Sequence, residues 1–148
     1  MRSSPAHTGR DDFGHPLRIA DDLDGAPLRC CLRDAEPGER VALFSWQPLT
    51  EAPDSPYAEI GPVFAPADPC PGYDDSTAYP PGFRHRTQLL RSYTADGDML
   101  DYEITEGADA EATIDKLLSN PRAAVIHSRN VQAGCYMFTI RPTPTAAR

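Results

Sequence analysis

Hydrophobic residues in this chain fall into short runs that alternate with polar positions at a period of two, and one later segment changes to a period near four. The runs at 40–46, 60–64, 88–93, 100–104, 123–129 and 135–140 are aromatic or β-branched and are bounded by turn residues such as Gly38, Gly97 and Gly134. That is the pattern of short strands. Ala95-Asp96-Gly97-Asp98 is a turn sequence, so the runs on either side of it are predicted to form a hairpin. Residues 130–134 read the same way for the last two runs. Within 109–119, Ala110, Ile114, Leu117 and Leu118 recur at i, i+4, i+7 and i+8 and draw one apolar stripe along a helix. Asp109 is placed to cap its first amides, and Pro121 stops it. The prediction is an α+β fold: a mostly antiparallel sheet, one main helix at about 109–119 across a face, and long proline-rich loops.

Prolines sharpen the middle of this picture. Sixteen are present, and more than half lie between 48 and 81. Each fixes φ and removes a donor, so the stretch is predicted to be loop with one short strand. Long ordered loops in small domains often carry sites, which marks residues 47–86 as a site-bearing region, or else a wrap over one side of the sheet. A chain of 148 residues fits one domain. The expected organisation is a loose polar lead-in over 1–15, a globular domain over 16–141 and a tail over 142–148, where Pro142 and Pro144 deny a strand its donors.

Charge then removes several classes of function. The formal net charge is −8 and no Lys/Arg run occurs, which argues against a nucleic-acid partner. No apolar run approaches the length that crosses a bilayer, and the first residues lack the apolar centre of a signal peptide, so no membrane partner and a cytoplasmic location are expected. Lys116 is the single lysine; the rest of the positive charge is arginine. Arginine binds carboxylate and phosphate through a planar fork, although codon bias alone accounts for much of such an excess. No Gly-x-x-x-x-Gly-Lys, Gly-x-Gly-x-x-Gly or Gly-x-Ser-x-Gly motif is present, so no nucleotide cofactor is expected and no serine-hydrolase elbow is seen.

The strongest candidate site is cationic. Arg84 and Arg86 flank His85 just before the run that carries Arg91, and alternation sets His127 and Arg129 on one face of their strand. If Arg129 pairs opposite Cys135, the thiol joins that face; a slip of one residue moves it away. On this reading Arg84, Arg86, Arg91 and Arg129 bind the ligand, while His127 and Cys135 are the candidate catalytic groups. The alternative is structural, with Arg91 and Arg129 paired to carboxylates such as Glu59 or Glu103. A second set, Cys31, Cys70, Cys135, His85 and His127, has residue types that suit zinc, but no two cysteines show the short spacing of a zinc knuckle, so no metal site is assigned. Acid pairs such as Asp21-Asp22 and Asp74-Asp75 lie in loop sequence and read as solvated surface.

One resemblance spans nearly the whole domain. Pro27-Leu28-Arg29-Cys30-Cys31-Leu32-Arg33-Asp34, Pro56-Tyr57-Ala58-Glu59-Ile60-Gly61-Pro62-Val63-Phe64 and Cys70 form its first part. Phe83-Arg84-His85-Arg86, Leu90-Arg91-Ser92-Tyr93, His127-Ser128-Arg129-Asn130 and Gly134-Cys135-Tyr136 extend it. Together they resemble a bacterial family catalogued as domain of unknown function number 1203, over about residues 25–141. The resemblance implies no reaction, cofactor or catalytic residue. The family pattern often sets a histidine four residues before Cys70, where this sequence has Pro66, which ligates no metal. The expected function is binding of a small anionic or polar metabolite, either as a binding protein or as a small cofactor-independent enzyme. The alternatives are a protein-interaction module that presents the proline-rich loops to a partner, and a zinc or thiol protein built on the cysteines.

Overall fold

Why the chain folds as two sheets rather than one is already visible in its shortest elements. The structure, a computed structural model, describes residues 9–143; residues 1–8 of the expected lead-in and 144–148 of the expected tail lie outside the described residues. Among the described residues the strands are β1 (Arg18–Ala20), β2 (Pro27–Leu28), β3 (Arg33–Asp34), β4 (Val41–Trp46), β5 (Gly61–Pro66), β6 (Gln88–Tyr93), β7 (Met99–Thr105), β8 (Val125–Asn130) and β9 (Tyr136–Ile140), with one α-helix, α1 (Ala110–Leu118). They form a five-stranded sheet in the order β1-β4-β5-β2-β3 and a four-stranded sheet in the order β7-β6-β8-β9. The α+β class holds, but the single sheet expected from the hydrophobic pattern is replaced by two. The three strands that complete the first sheet, β1 to β3, have three, two and two residues. A period of two cannot register in elements that short.

β5 shows how a sheet accommodates prolines. It pairs antiparallel with β4, with Pro62 opposite Ser45 and Pro66 opposite Val41. The bond from Ala67 N–H to the Arg40 carbonyl, at 2.9 Å, sets the phase of this ladder. Pro62 and Pro66 therefore occupy non-hydrogen-bonded positions, with their nitrogens turned away from β4. On that far side β2 joins β5 parallel at one position, Leu28 opposite Phe64, between the two prolines. The missing donors fall where no ladder needs them.

The second sheet buries both faces differently. Leu90, Ile126 and Leu117 of α1 form one core cluster with Ile114 and Ile140, so the helix covers one face. Asp109 stands at the helix start but makes no side-chain cap. A 3-10 turn, Gly107–Asp109, leads in instead and leaves Asp109 with φ −105 and ψ 4, outside the extended geometry a capping side chain needs. The opposite face carries Arg91, Tyr93, Val125, His127 and Arg129, by the register Arg91 opposite His127 and Tyr93 opposite Val125. Leu49, with Ala52 and Ala58, packs on Tyr93 and Val125, so residues 47–60 wrap that face. The described part of the lead-in is also tied down: the Asp11 carboxylate accepts from the Phe13, His15 and Ser45 amides at 2.9, 3.0 and 2.9 Å.

Candidate functional site

A cleft of about 360 Å3 opens at the seam between the two sheets, lined by Trp46 at the end of β4, Glu59 and Gly61 before and in β5, and Arg129, Cys135 and Tyr136 of the β8–β9 hairpin. The hairpin turn sets its floor. Gly134 has φ 77, a left-handed conformation that a side chain would resist, and the Asn130 carboxamide accepts from the Gln132 amide at 2.9 Å. This conformation turns the Gly134 carbonyl towards Arg129, whose Nη1 donates to it at 3.0 Å. A register shift between Ser128 and Arg129 puts Tyr136, rather than Cys135, opposite Arg129. Tyr136 therefore shares the face of His127 and Arg129, while Cys135 stays in the turn, with its thiol 3.8 Å from the Ala133 carbonyl.

Two guanidiniums in this site share one carboxylate. Arg129 Nη2 lies 3.2 Å from Glu59 Oε2, and Arg91 Nη1 lies 3.4 Å from Glu59 Oε1. The Arg129 side chain is only 9% exposed, whereas Glu59 is 52% exposed. Arg129 Nε is buried without a partner. One positive charge is thus left uncompensated on a side chain held out of water, a condition that favours a second anion. Glu59 belongs to the pairing alternative raised by the sequence, and it reaches the arginines because the wrap over 47–60 delivers it there.

His127 lies behind this cleft. It is 1% exposed, with its ring 5.0 Å from that of Tyr93 and 5.5 Å from that of Tyr136, and its Nε2 has no partner. Burial, reinforced by the charge of Arg129, pushes its imidazole down to about 4, so it is neutral near pH 7. The Tyr136 hydroxyl bonds Thr139 Oγ1 at 2.7 Å.

The other candidate residues sit elsewhere. Arg84 pairs with Glu111, donates to the Gly107 carbonyl at 2.8 Å and stacks 5.1 Å over the Tyr79 ring. Arg86 and His85 both engage Asp34, at 2.9 and 2.8 Å. The structure thus brings Arg91 and Arg129 together on Glu59, with Cys135 on the wall of the same cleft and His127 buried behind it, and separates Arg84 and Arg86 from them. Another cleft, about 390 Å3, lies beside α1, and Asp75, Glu111 and Asp115 outnumber Arg141 on its wall and oppose an anion. Among the described residues no group of three or more His, Cys, Asp or Glu side chains is arranged to hold a metal ion. No helix among them is long and apolar enough to cross a membrane.

The sequence pointed to Arg129 and His127 and offered Trp46 among aromatics for an apolar pocket, but gave no role to Tyr136; the bulged β8–β9 register sets Tyr136 opposite Arg129, and Trp46 reaches the cleft from the other sheet. Comparison with known proteins gives one family, described as "Protein of unknown function (DUF1203)", which matches residues 25–141. No curated protein and no solved structure matches the chain.

Proposed function

The chain belongs to the DUF1203 family, and we propose that it binds a small carboxylate- or phosphate-bearing metabolite in the cleft at Arg129. The observation that carries this reading is the pair of guanidiniums, Arg91 and Arg129, sharing the one carboxylate of Glu59 at the cleft wall. Glu59 acts as an internal stand-in for the ligand. An incoming anion takes its place on Arg129, and Glu59, being half exposed, turns out to water at small cost. The incoming anion re-pairs the buried guanidinium while Glu59 goes to water, so no buried charge is left unpaired and the exchange is energetically accessible. Trp46 and Tyr136 supply apolar walls for the ligand's body. The arrangement favours binding over turnover. Among the described residues Glu59 is the one carboxylate lining the cleft, and His127 is closed off behind Tyr136.

Titration of the protein with inorganic phosphate, succinate and citrate, followed by heteronuclear NMR, tests the proposal. Glu59→Gln removes the internal competitor and should tighten binding about fivefold, the equivalent of about 1 kcal/mol. Arg129→Gln should abolish the shifts of the Gly134 and Tyr136 amides with the circular dichroism spectrum unchanged. Equal affinity in wild type and both variants would overturn the site. Absence of anion-induced shifts even in Glu59→Gln would overturn the function.

A further inference from the structure

Tyr136 also lines a second cleft, and there two cysteines, Cys30 and Cys70, meet next to Cys31. Cys30 and Cys31 sit in the four-residue turn that joins β2 to β3, and Cys70 follows β5 between Pro69 and Pro71. β2 and β5 run parallel and are paired at Leu28 and Phe64. Parallel neighbours leave the sheet at the same end, so the chain beyond each strand arrives at one place. The turn is held in a fixed shape: Leu32 has φ 54, and its amide bonds the Leu28 carbonyl at 2.9 Å. A leucine in the left-handed region costs about 1 kcal/mol, which the packing around it must offset. The result is that Cys30 and Cys70 line one cleft, with the Cys30 carbonyl 3.8 Å from the Cβ position of Gly72, and Cys31 lies near enough to feel the charge of Cys70.

Cys70 accepts a backbone hydrogen bond. The Gly72 amide donates to its sulfur at 3.4 Å. Burial, then the contact with Cys70, pushes the Cys30 thiol up to about 12; burial and the charge of Cys70 push Cys31 up to about 11. The two hairpin thiols therefore keep their protons at neutral pH. All four cysteines are free thiols of intermediate exposure. The cleft that Cys30 and Cys70 line holds about 340 Å3, with Arg29, Gly72, Tyr73 and Tyr136 on its wall, so a small reagent has a route to the sulfur of Cys70.

We propose that Cys70 is a hydroperoxide-reactive thiol that closes a disulfide with the Cys30–Cys31 turn. Its sulfur attacks one oxygen of a hydroperoxide, ROOH. The S–O bond forms, the O–O bond breaks, and ROH leaves with the thiol proton, giving a Cys70 sulfenic acid. Cys30 or Cys31 then attacks that sulfur; the S–S bond forms, and the hydroxyl leaves as water with the proton of the attacking thiol. The hydroperoxide is reduced by two electrons, and two thiols are oxidised. Bridging between Cys30 and Cys31 themselves is disfavoured, because the ring linking adjacent cysteines is strained. Cys135 is the internal control, since it lies in the other cleft, in contact with Ala133. The proposal is independent of anion binding at Arg129.

The test is stoichiometric hydrogen peroxide treatment of the reduced protein, followed by alkylation and peptide mapping without reductant. The expected result is loss of two of the four thiols and a cross-linked peptide, lighter by two hydrogens, that joins Cys70 to the Cys30–Cys31 peptide. Cys30→Ser and Cys31→Ser singly should each retain a cross-link through the remaining partner. The double variant should hold Cys70 as a sulfenic acid, detected with dimedone. Cys70→Ser and Cys70→Ala should lose the fast phase of peroxide consumption while Cys135→Ser keeps it, and circular dichroism reports the fold of each. Oxidation at Cys135 with Cys70 left reduced, or uniform slow oxidation of all four thiols, would overturn the proposal.

Discussion

With 1% of its surface exposed and its ring held between Tyr93 and Tyr136, His127 is neutral in the folded chain, its imidazole pushed down to about 4 by burial and by Arg129. Glu51 favours its charge, and Arg141 and Arg91 each oppose that by less. In the unfolded chain the same ring titrates near its ordinary value of about 6.5. Above that value both states are neutral and the full contribution to stability is present. As pH falls from about 6.5 towards 4, the unfolded state takes up a proton that the folded state refuses, and stability declines. At pH 5 the loss from this residue should be about 2 kcal/mol. Urea unfolding of wild type and His127→Phe at pH 7 and pH 5 measures it. Glu39, held down at about 2 chiefly by its hydrogen bond from Arg33, contributes equally to both proteins and cancels in the comparison. Wild type should lose about 2 kcal/mol more than the variant between these pH values; equal losses would mean the ring is hydrated. The sequence singled out His127 by residue type and strand phase. Its burial depends on Tyr136 and on the wrap over 47–60, which no local pattern encodes.

At the level of elements the hydrophobic pattern was highly legible. The run predicted at 88–93 is β6 to the residue, and both predicted hairpins, β6–β7 and β8–β9, pair as expected. Their turn residues and alternation are local signals, and antiparallel neighbours joined by short turns need nothing more. The helix start was less legible, because it is set by a close approach rather than by a cap. A Cβ on Gly107 would lie 1.8 Å from the Arg84 carbonyl oxygen, a backbone atom that cannot step aside. Gly107→Ala should therefore push the 3-10 turn away from residue 84, break the bond from Arg84 to the Gly107 carbonyl and destabilise by about 3 kcal/mol. Gly61→Ala is the matched control, since nothing lies within 4 Å of its Cβ position. That change should be neutral or stabilise by up to about 1 kcal/mol, through a smaller unfolded-state entropy. Thermal unfolding of the two variants separates these outcomes. A Gly107→Ala protein as stable as wild type would show that the helix start does not need the contact.

For the whole molecule, what escaped the sequence is how distant pieces meet: the parallel β2–β5 pairing that gathers Cys30, Cys31 and Cys70, and the seam that places Tyr136 beside both clefts. Arg29 spans that seam. From the turn after β2 its Nε donates to the Tyr136 carbonyl of β9 at 2.7 Å, its Nη1 donates to the Pro27 carbonyl, and its guanidinium lies 5.7 Å from the Phe64 ring centre. It is 8% exposed, and burial lowers it to about 10, which leaves it charged at neutral pH. A charged donor on a buried carbonyl contributes about 1.5–3 kcal/mol. Arg29→Met keeps most of the apolar stem and removes both donors, so it should cost about that much. Because the tie joins one sheet to the other, its loss should act on both at once. Trp46, the single tryptophan, reports the five-stranded sheet by fluorescence, and far-UV circular dichroism reports the chain as a whole. In urea both signals should move to a lower midpoint together, with one transition. A shift in Trp46 fluorescence alone would mean that the sheets unfold separately and that Arg29 serves only its own turn. The coincident shift would identify the Arg29–Tyr136 bond as the link through which the thiol cleft and the arginine cleft share one folded unit.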